Sequence, residues 1–174
     1  MRTRWQWRIG RTAALVCMML AASGAQAHSG GRGSGDFYAG TLNALGALEH
    51  VLGFITLGLL AGQQGPKAQA MLPAFLLALL AGAGAALWLP PLPYLGLANV
   101  FSAVVMGALV AAAWPLPRAL LAGLAVAFGL GHGLGNVAAM PADLRAYLYI
   151  PGVGLAGLMV TACGLIAADW LLHR

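Results

Sequence analysis

Charged side chains are scarce in this sequence of 174 residues, of which 7% are charged and 61% are hydrophobic. Soluble domains carry about a quarter charged residues, so the composition excludes an ordinary soluble domain and indicates a membrane protein. Cysteine is nearly absent too, with only Cys17 and Cys163 present. No hydrolase, nucleotide-binding or dithiol redox motif is present, so an enzyme is not predicted.

Basic residues are concentrated at the N-terminus, ahead of a short apolar segment. Four arginines precede residues 12–20, and small residues ending in Ala25-Gln26-Ala27 follow. This pattern is typical of a secretory signal peptide, so residues 1–27 are predicted to be cleaved before His28; an uncleaved anchor helix is the alternative. The mature chain keeps five basic and four acidic residues. Such a balance gives no support for nucleic-acid binding, and the single remaining Cys163 excludes an intrachain disulfide.

Five apolar runs follow, each long enough to cross a hydrocarbon core of about 30 Å as a helix. They lie near 37–62, 70–89, 95–114, 119–140 and 146–171. Their connectors are short and contain proline or glycine, which interrupt helices. Residues 28–174 are therefore predicted to form a single all-α domain, a polytopic transmembrane helical bundle in the lipid bilayer of a bacterial inner membrane.

The connectors also predict an orientation. A cleaved signal peptide leaves the mature N-terminus in the periplasm, and five spans then put Lys67, Arg118 and Arg174 on the cytoplasmic side. This distribution agrees with the positive-inside rule and leaves the C-terminus in the cytoplasm. Arg145 is the exception, and the nearby acid Asp143 is its predicted partner.

Ionisable residues stand inside two of the apolar runs, where they are costly and usually mark an ion or substrate site. Glu49 and His50 lie in the first run and His132 lies in the fourth. At 3.6 residues per turn, Asn43 shares a face with His50, and Asn136 shares a face with His132. The two runs are antiparallel, so the two Asn-plus-His sets are predicted to lie at matching depths.

Imidazole, carboxylate and amide groups around one point suit a divalent cation such as nickel, cobalt or zinc. The alternative is structural: a single histidine or asparagine can hydrogen-bond a neighbouring helix. His28, as the new N-terminus, could chelate a metal and, with Asp36, capture it at the periplasmic mouth; a plain tail residue is the alternative. The glycines of residues 129–135 favour close packing, with local unwinding of the helix as the alternative.

The motifs around these residues resemble those of the HupE/UreJ family of nickel and cobalt permeases. The family pattern H-x5-D-H aligns with a segment in which Asn43 replaces the first His, Glu49 replaces Asp, and His50 is kept. The pattern F-H-G-x-A-H-G-x-E aligns with a segment that keeps its first His as His132 and has Asn136 in place of the second.

The resemblance implies a protein that binds and conducts a divalent transition metal, nickel or cobalt, with no organic cofactor. Glu49, His50 and His132 would form the intramembrane metal site, and Asn43 with Asn136 would form an outer collar. Because these ligands must be deprotonated to bind, exchange of protons against metal would link transport to pH. The expected partners are lipid and the metal ion, with a homo-oligomer or other membrane subunits as further possibilities.

Two other functions stay open. His50 and His132 could clamp one haem between helices, as a bis-His redox subunit requires. Alternatively, the protein could be a non-transporting structural or assembly subunit of a membrane complex. The replacement of two family histidines by Asn43 and Asn136, and a chain one helix shorter than the usual family layout, favour that alternative.

Overall fold

The computed structural model describes residues 34–68 and 70–172. The predicted signal peptide over residues 1–27 and His28 lie outside the described residues. The helices within them are α1 (Ser34–Gly46), α2 (Leu48–Gln64), α3 (Met71–Ala85), α4 (Leu95–Ala112), α5 (Arg118–Ala138) and α6 (Ala146–Leu172), with a 3-10 turn over Gly65–Ala68. No strand occurs in this part of the chain. The predicted all-α membrane bundle is therefore confirmed.

The first predicted span, near 37–62, is not one continuous helix. Ala47 interrupts it with an extended backbone, φ −87° and ψ 116°, and the segments on either side are bent by 78°. The Ala47 carbonyl accepts hydrogen bonds from the main-chain N–H groups of His50 and Val51, which begin the next helix. The break therefore lies between Asn43 and His50. The prediction that these two residues share one helical face assumed an unbroken helix.

Three of the described helices, α4, α5 and α6, are long and apolar enough to cross a membrane, and α1 with α2 makes a fourth span if the bent pair is counted as one. The predicted span near 70–89 is represented by α3, whose 15 residues measure about 22 Å. Turns follow Ala85 up to Pro90 and Pro91, which disfavour continuation of a helix. The predicted count of five spans is thus not confirmed.

The bundle is built around two helices that occur late in the chain. α6 packs against α1, α2 and α3, while α5 packs closely along α3. α4 contacts α2 and α5 with one side only, and its other side leaves Leu97, Phe101 and Val104 more than 60% exposed. Such an apolar face is suited to contact with lipid.

An ion pair joins the start of α1 to the connector before α6. The Arg145 side chain donates from Nε to Asp36 Oδ2 at 2.8 Å, and its main-chain N–H donates to the same oxygen at 3.3 Å. The prediction that Asp143 is the partner of Arg145 is therefore wrong. The hydrogen bond to Asp36 raises the pKa of Arg145 above its usual value. Asp36 is thus already engaged and is not a free carboxylate for metal capture.

Two glutamines at the end of α2 hold the connector between α4 and α5. Gln64 donates from Nε2 to the Trp114 carbonyl at 2.7 Å and accepts from the Leu116 N–H at 3.0 Å. Gln63 donates to the Val110 carbonyl, in the last turn of α4, at 3.0 Å. These bonds join the last turn of α4 and the connector after it to the end of α2, and they fix α4 relative to α2.

Candidate functional site

Two buried histidines from distant parts of the chain meet inside the bundle. His50 lies in the first turn of α2 and His132 lies within α5, and their Nδ1 atoms are 2.7 Å apart. The exposed fractions of the two residues are 4% and 0%. A contact of this length is a hydrogen bond, so one Nδ1 carries a proton and the other presents its lone pair. The structure therefore brings together the two imidazoles that the sequence singled out.

The predicted asparagines form a second pair next to the histidines. Asn43 donates from its amide nitrogen to Asn136 Oδ1 at 3.1 Å and to the Asn136 carbonyl at 3.3 Å. Asn136, which is fully buried, donates in turn to the His132 carbonyl at 2.8 Å. The asparagines thus lie beside the imidazoles, as their predicted depths required. Here they act as interhelical hydrogen-bonding groups.

Three phenylalanines occupy the opposite side of the histidine pair. Phe54 follows His50 by one turn on α2, and Phe128 precedes His132 by one turn on α5. Phe75 of α3 completes the group, and the three ring centroids are between 5.3 and 6.4 Å apart. The Phe128 ring lies 4.1 Å from the His132 ring. The site therefore has three layers: an asparagine pair, a histidine pair and an apolar cluster of three aromatic rings.

Glu49 is half-buried and does not complete a metal centre with the histidines. Across residues 34–68 and 70–172, no group of three or more His, Cys, Asp or Glu side chains is positioned to hold a metal ion. Successive residues on a helix point about 100° apart, so His50 can face α5 only if its neighbour turns aside. Glu49 remains close enough to His50 for an electrostatic interaction. The predicted trio is therefore observed as a histidine pair with an acid beside it.

The glycines of α5 allow two neighbouring helices, α3 and α4, to approach closely. A β-carbon at Gly129 or Gly133 would collide with the main chain of α3, while one at Gly131 or Gly135 would press on the side chain of Asn99 in α4. The helix is continuous over Arg118–Ala138. The glycine alternation is therefore a packing device, and the alternative of a locally unwound helix is wrong.

The site includes polar groups that were not predicted as part of it. Ser102 of α4 lies with Oγ 3.2 Å from His132 Nε2 and donates to the Asn99 carbonyl at 2.7 Å. Tyr149 of α6, which is 1% exposed, donates to the Asn136 carbonyl at 3.2 Å. Asn99 and Ser102 are spaced by one helical turn in an otherwise apolar span, and this spacing was the available signal for a polar face on α4.

The geometry does not fit a haem between the two histidines. Axial ligands on opposite faces of a haem iron are separated by two metal–nitrogen bonds, about 4 Å in total, with the macrocycle between them. The facing nitrogens of His50 and His132 are 2.7 Å apart, and the Phe54 and Phe128 rings pack against the His132 ring. A porphyrin could enter only if α2 and α5 moved apart.

The sequence profile of the family described as HupE/UreJ protein matches residues 16–174, nearly the whole chain. No curated protein and no solved structure is significantly similar to this chain. The matched region includes both helices that supply the histidine pair and the helix that supplies Ser102. The chain belongs to the HupE/UreJ family.

Proposed function

We propose that this protein binds a divalent transition metal of the nickel or cobalt type within the membrane and conducts it across. The observation that carries the proposal is the buried contact between His50 and His132 inside a bundle of apolar helices. Buried ionisable groups in membrane helices usually mark ion or substrate pathways. The family is associated with nickel or cobalt transport, or with maturation of urease or hydrogenase.

The Nδ1 atoms of the histidine pair lie close to the spacing that two ligands of one metal ion require. Two imidazole nitrogens on one metal, each at about 2.0–2.1 Å, lie about 2.8–3.4 Å apart for angles between 90° and tetrahedral. The Nδ1 atoms of His50 and His132 are 2.7 Å apart, so they must separate by about 0.1–0.7 Å, and the rings must turn so that both Nδ1 lone pairs point to the metal ion. Imidazole is a good ligand for nickel, cobalt and zinc, which makes this class of metal the expected substrate.

A site with two strong protein ligands suits a transported ion. Conduction requires binding that is favourable enough for entry and weak enough for release. His50 and His132 would supply two ligands, and water or the amide oxygen of Asn43 could supply others. The phenylalanine cluster lies against the opposite side of the pair, so passage in that direction would require its rings to move.

Metal flux into liposomes tests the proposal. The purified protein and a His50→Ala, His132→Ala double variant are reconstituted, and Ni²⁺ entry is followed with a trapped metal-sensitive dye. The double variant is expected to fall to the flux of protein-free liposomes. Phe101→Ala, which alters the lipid-facing side of α4, is the control and is expected to keep wild-type flux. Equal flux in the wild type and the double variant would refute conduction through this pair.

The same preparation tests the alternative of an assembly subunit. Elemental analysis of the detergent-purified wild type is expected to find bound nickel or cobalt that is absent from the double variant. Metal-free wild-type protein that gives no flux and co-purifies with stoichiometric partners would instead favour a structural role.

A further inference from the structure

Ser102 makes two contacts that together decide the protonation pattern of the histidine pair. Its hydroxyl group has one proton, and Oγ lies 2.7 Å from the Asn99 carbonyl oxygen and 3.2 Å from His132 Nε2. A carbonyl oxygen can only accept, so the hydroxyl proton is directed to Asn99. Ser102 is then an acceptor toward His132, and His132 must carry its proton on Nε2.

The tautomer of His132 also determines the tautomer of His50. A neutral His132 with its proton on Nε2 has a lone pair on Nδ1, so it accepts the 2.7 Å hydrogen bond from His50. His50 must therefore carry its proton on Nδ1, and its Nε2 is unprotonated. A chain of four groups runs from His50 through His132 and Ser102 to the Asn99 carbonyl.

We propose that Ser102, oriented by the Asn99 carbonyl, is a positioning residue that holds His132 as its Nε2–H tautomer and presents the Nδ1 lone pair of His132 to the site. The assignment of tautomers stands on the hydrogen bonds alone. Its consequence for metal binding rests on the proposed function. A hydrogen bond to the second nitrogen of a ligating histidine fixes the ring orientation and raises its basicity.

The two histidines are then unequal partners for a metal ion. His132 already presents a lone pair on Nδ1, whereas His50 must lose the proton on Nδ1 and gain one on Nε2 before both Nδ1 atoms can bind. A neutral imidazole keeps one proton throughout this change, so metal binding at the pair releases no net proton, which differs from the exchange of protons against metal that the resemblance implies. His132 is therefore the preformed ligand, and His50 is the ligand that changes tautomer.

Nitrogen-15 NMR of the metal-free protein, labelled at histidine, tests the assignment directly, because protonated and unprotonated ring nitrogens have well-separated shifts. A His50→Ala variant assigns the remaining buried signal to His132. Wild-type His132 is expected to show a protonated Nε2 and an unprotonated Nδ1. In Ser102→Ala the Nδ1–H tautomer of His132 is expected to become populated, and Ser102→Thr, which keeps the hydroxyl, is expected to restore the wild-type pattern.

Thr56→Val is the matched control, because Thr56 also donates to carbonyls of its own helix, and neither of these hydrogen bonds involves a histidine. It is expected to leave both tautomers unchanged. A wild-type His132 with its proton on Nδ1, or a Ser102→Ala spectrum identical to wild type, would overturn the proposal.

Co²⁺ titration of the same variants separates this inference from the proposed function. Ser102→Ala is expected to weaken Co²⁺ binding by about 10–100-fold, with Ser102→Thr and Thr56→Val close to wild type. A tautomer change in Ser102→Ala, with no Co²⁺ binding to the wild type, would leave the positioning role intact and remove the metal function. Unchanged tautomers in Ser102→Ala, together with tight Co²⁺ binding to the wild type, would remove the positioning role and leave the metal function intact.

Discussion

Asn43 and Asn136 are joined by a side-chain hydrogen bond of 3.1 Å, next to the 2.7 Å contact between His50 and His132. The two pairs connect the same parts of the chain, residues 43–50 with residues 132–136, and they keep the order expected for antiparallel segments. Under the proposed function, an ion approaching the histidine pair from that side would pass the asparagines. They are also the positions at which the family motifs carry histidine.

Restoring histidine at both positions is expected to strengthen metal binding. Imidazole is a stronger ligand than a neutral amide for nickel and cobalt, so an Asn43→His, Asn136→His double variant should lower the Co²⁺ dissociation constant at least about tenfold. Calorimetric titration measures the change. Asn136 is fully buried, so the larger ring should also cost about 1–3 kcal/mol of stability. Gln63→His, at the far end of α2, is the control. An unchanged dissociation constant in a folded double variant would place the asparagines outside the ion path.

Replacing glycine by alanine on α5 is expected to lower the stability of the protein at one position and to raise it at another. A methyl group at Gly133 would meet the Leu79 carbonyl of α3, whereas the space beside Gly123 is open. Gly133→Ala should therefore destabilise the protein by about 1–3 kcal/mol. Gly123→Ala should stabilise it by about 0.5–1 kcal/mol, because alanine loses less conformational entropy in a helix. Thermal unfolding in detergent, followed by circular dichroism, compares the two. Equal effects would show that α3 and α5 are not in close contact.

The meeting of the histidines was predictable, but the grouping of Glu49 with them as a third ligand does not match the observed geometry. Helical periodicity and antiparallel order are enough to bring His50 and His132 to one depth. Glu49 was grouped with them because it is adjacent in sequence, although adjacent helical residues point in different directions. Ser102 was missed because its contact with His132 depends on how α4 packs against α5, which a single sequence does not specify.

The break at Ala47 was not predicted. Gly46, the last residue of α1, is a local signal for a helix end, but alanine is the strongest helix former and no proline stands nearby, so a continuous helix was expected. Packing outweighs this local preference, because α1 and α2 both pack against α6 and the chain bends between them. The partner of Arg145 is a similar case, since the nearby Asp143 was preferred over Asp36, which is 109 positions away. Tertiary contacts overrode the local choice at both places.

The ion pair between Asp36 and Arg145 is expected to stabilise the junction of α1 and α6. Asp36→Ala should lower the melting temperature in detergent. Asp36→Asn should lower it less, because an amide oxygen can still accept from the Arg145 main-chain N–H. Asp143→Asn, at the partner predicted from sequence, is the control and should match wild type. A loss of stability in Asp143→Asn equal to that in Asp36→Ala would contradict the observed pairing.

The pH dependence of that ion pair follows from the raised pKa of Arg145. A cationic group with a raised pKa in the folded state contributes stability below its unfolded pKa, and the contribution is lost only as the pH rises through the higher folded value. The difference in melting temperature between wild type and Asp36→Ala should therefore persist from about pH 7 to about pH 10. Its disappearance within that range would mean that the charge on Arg145 is not what stabilises the junction.

The phenylalanine cluster is expected to be the barrier on the side of the histidine pair opposite the asparagines. Phe128 lies against His132, and its ring also packs with Phe54 and Phe75. Phe128→Ala removes a large side chain at this point and leaves space beside the imidazoles. Truncation of a buried phenylalanine costs about 3–5 kcal/mol, so the variant should melt at a lower temperature.

Metal flux distinguishes a barrier from ordinary packing in that cluster. The Ni²⁺ flux per folded molecule is expected to rise in Phe128→Ala and to rise less in Phe128→Leu, which keeps more of the volume. Phe101→Ala removes a ring from the exposed face of α4 and should change neither flux nor stability appreciably. If Phe128→Ala is folded and its flux is equal to or below that of wild type, the aromatic rings do not limit passage, and the resistance must lie at the histidines themselves.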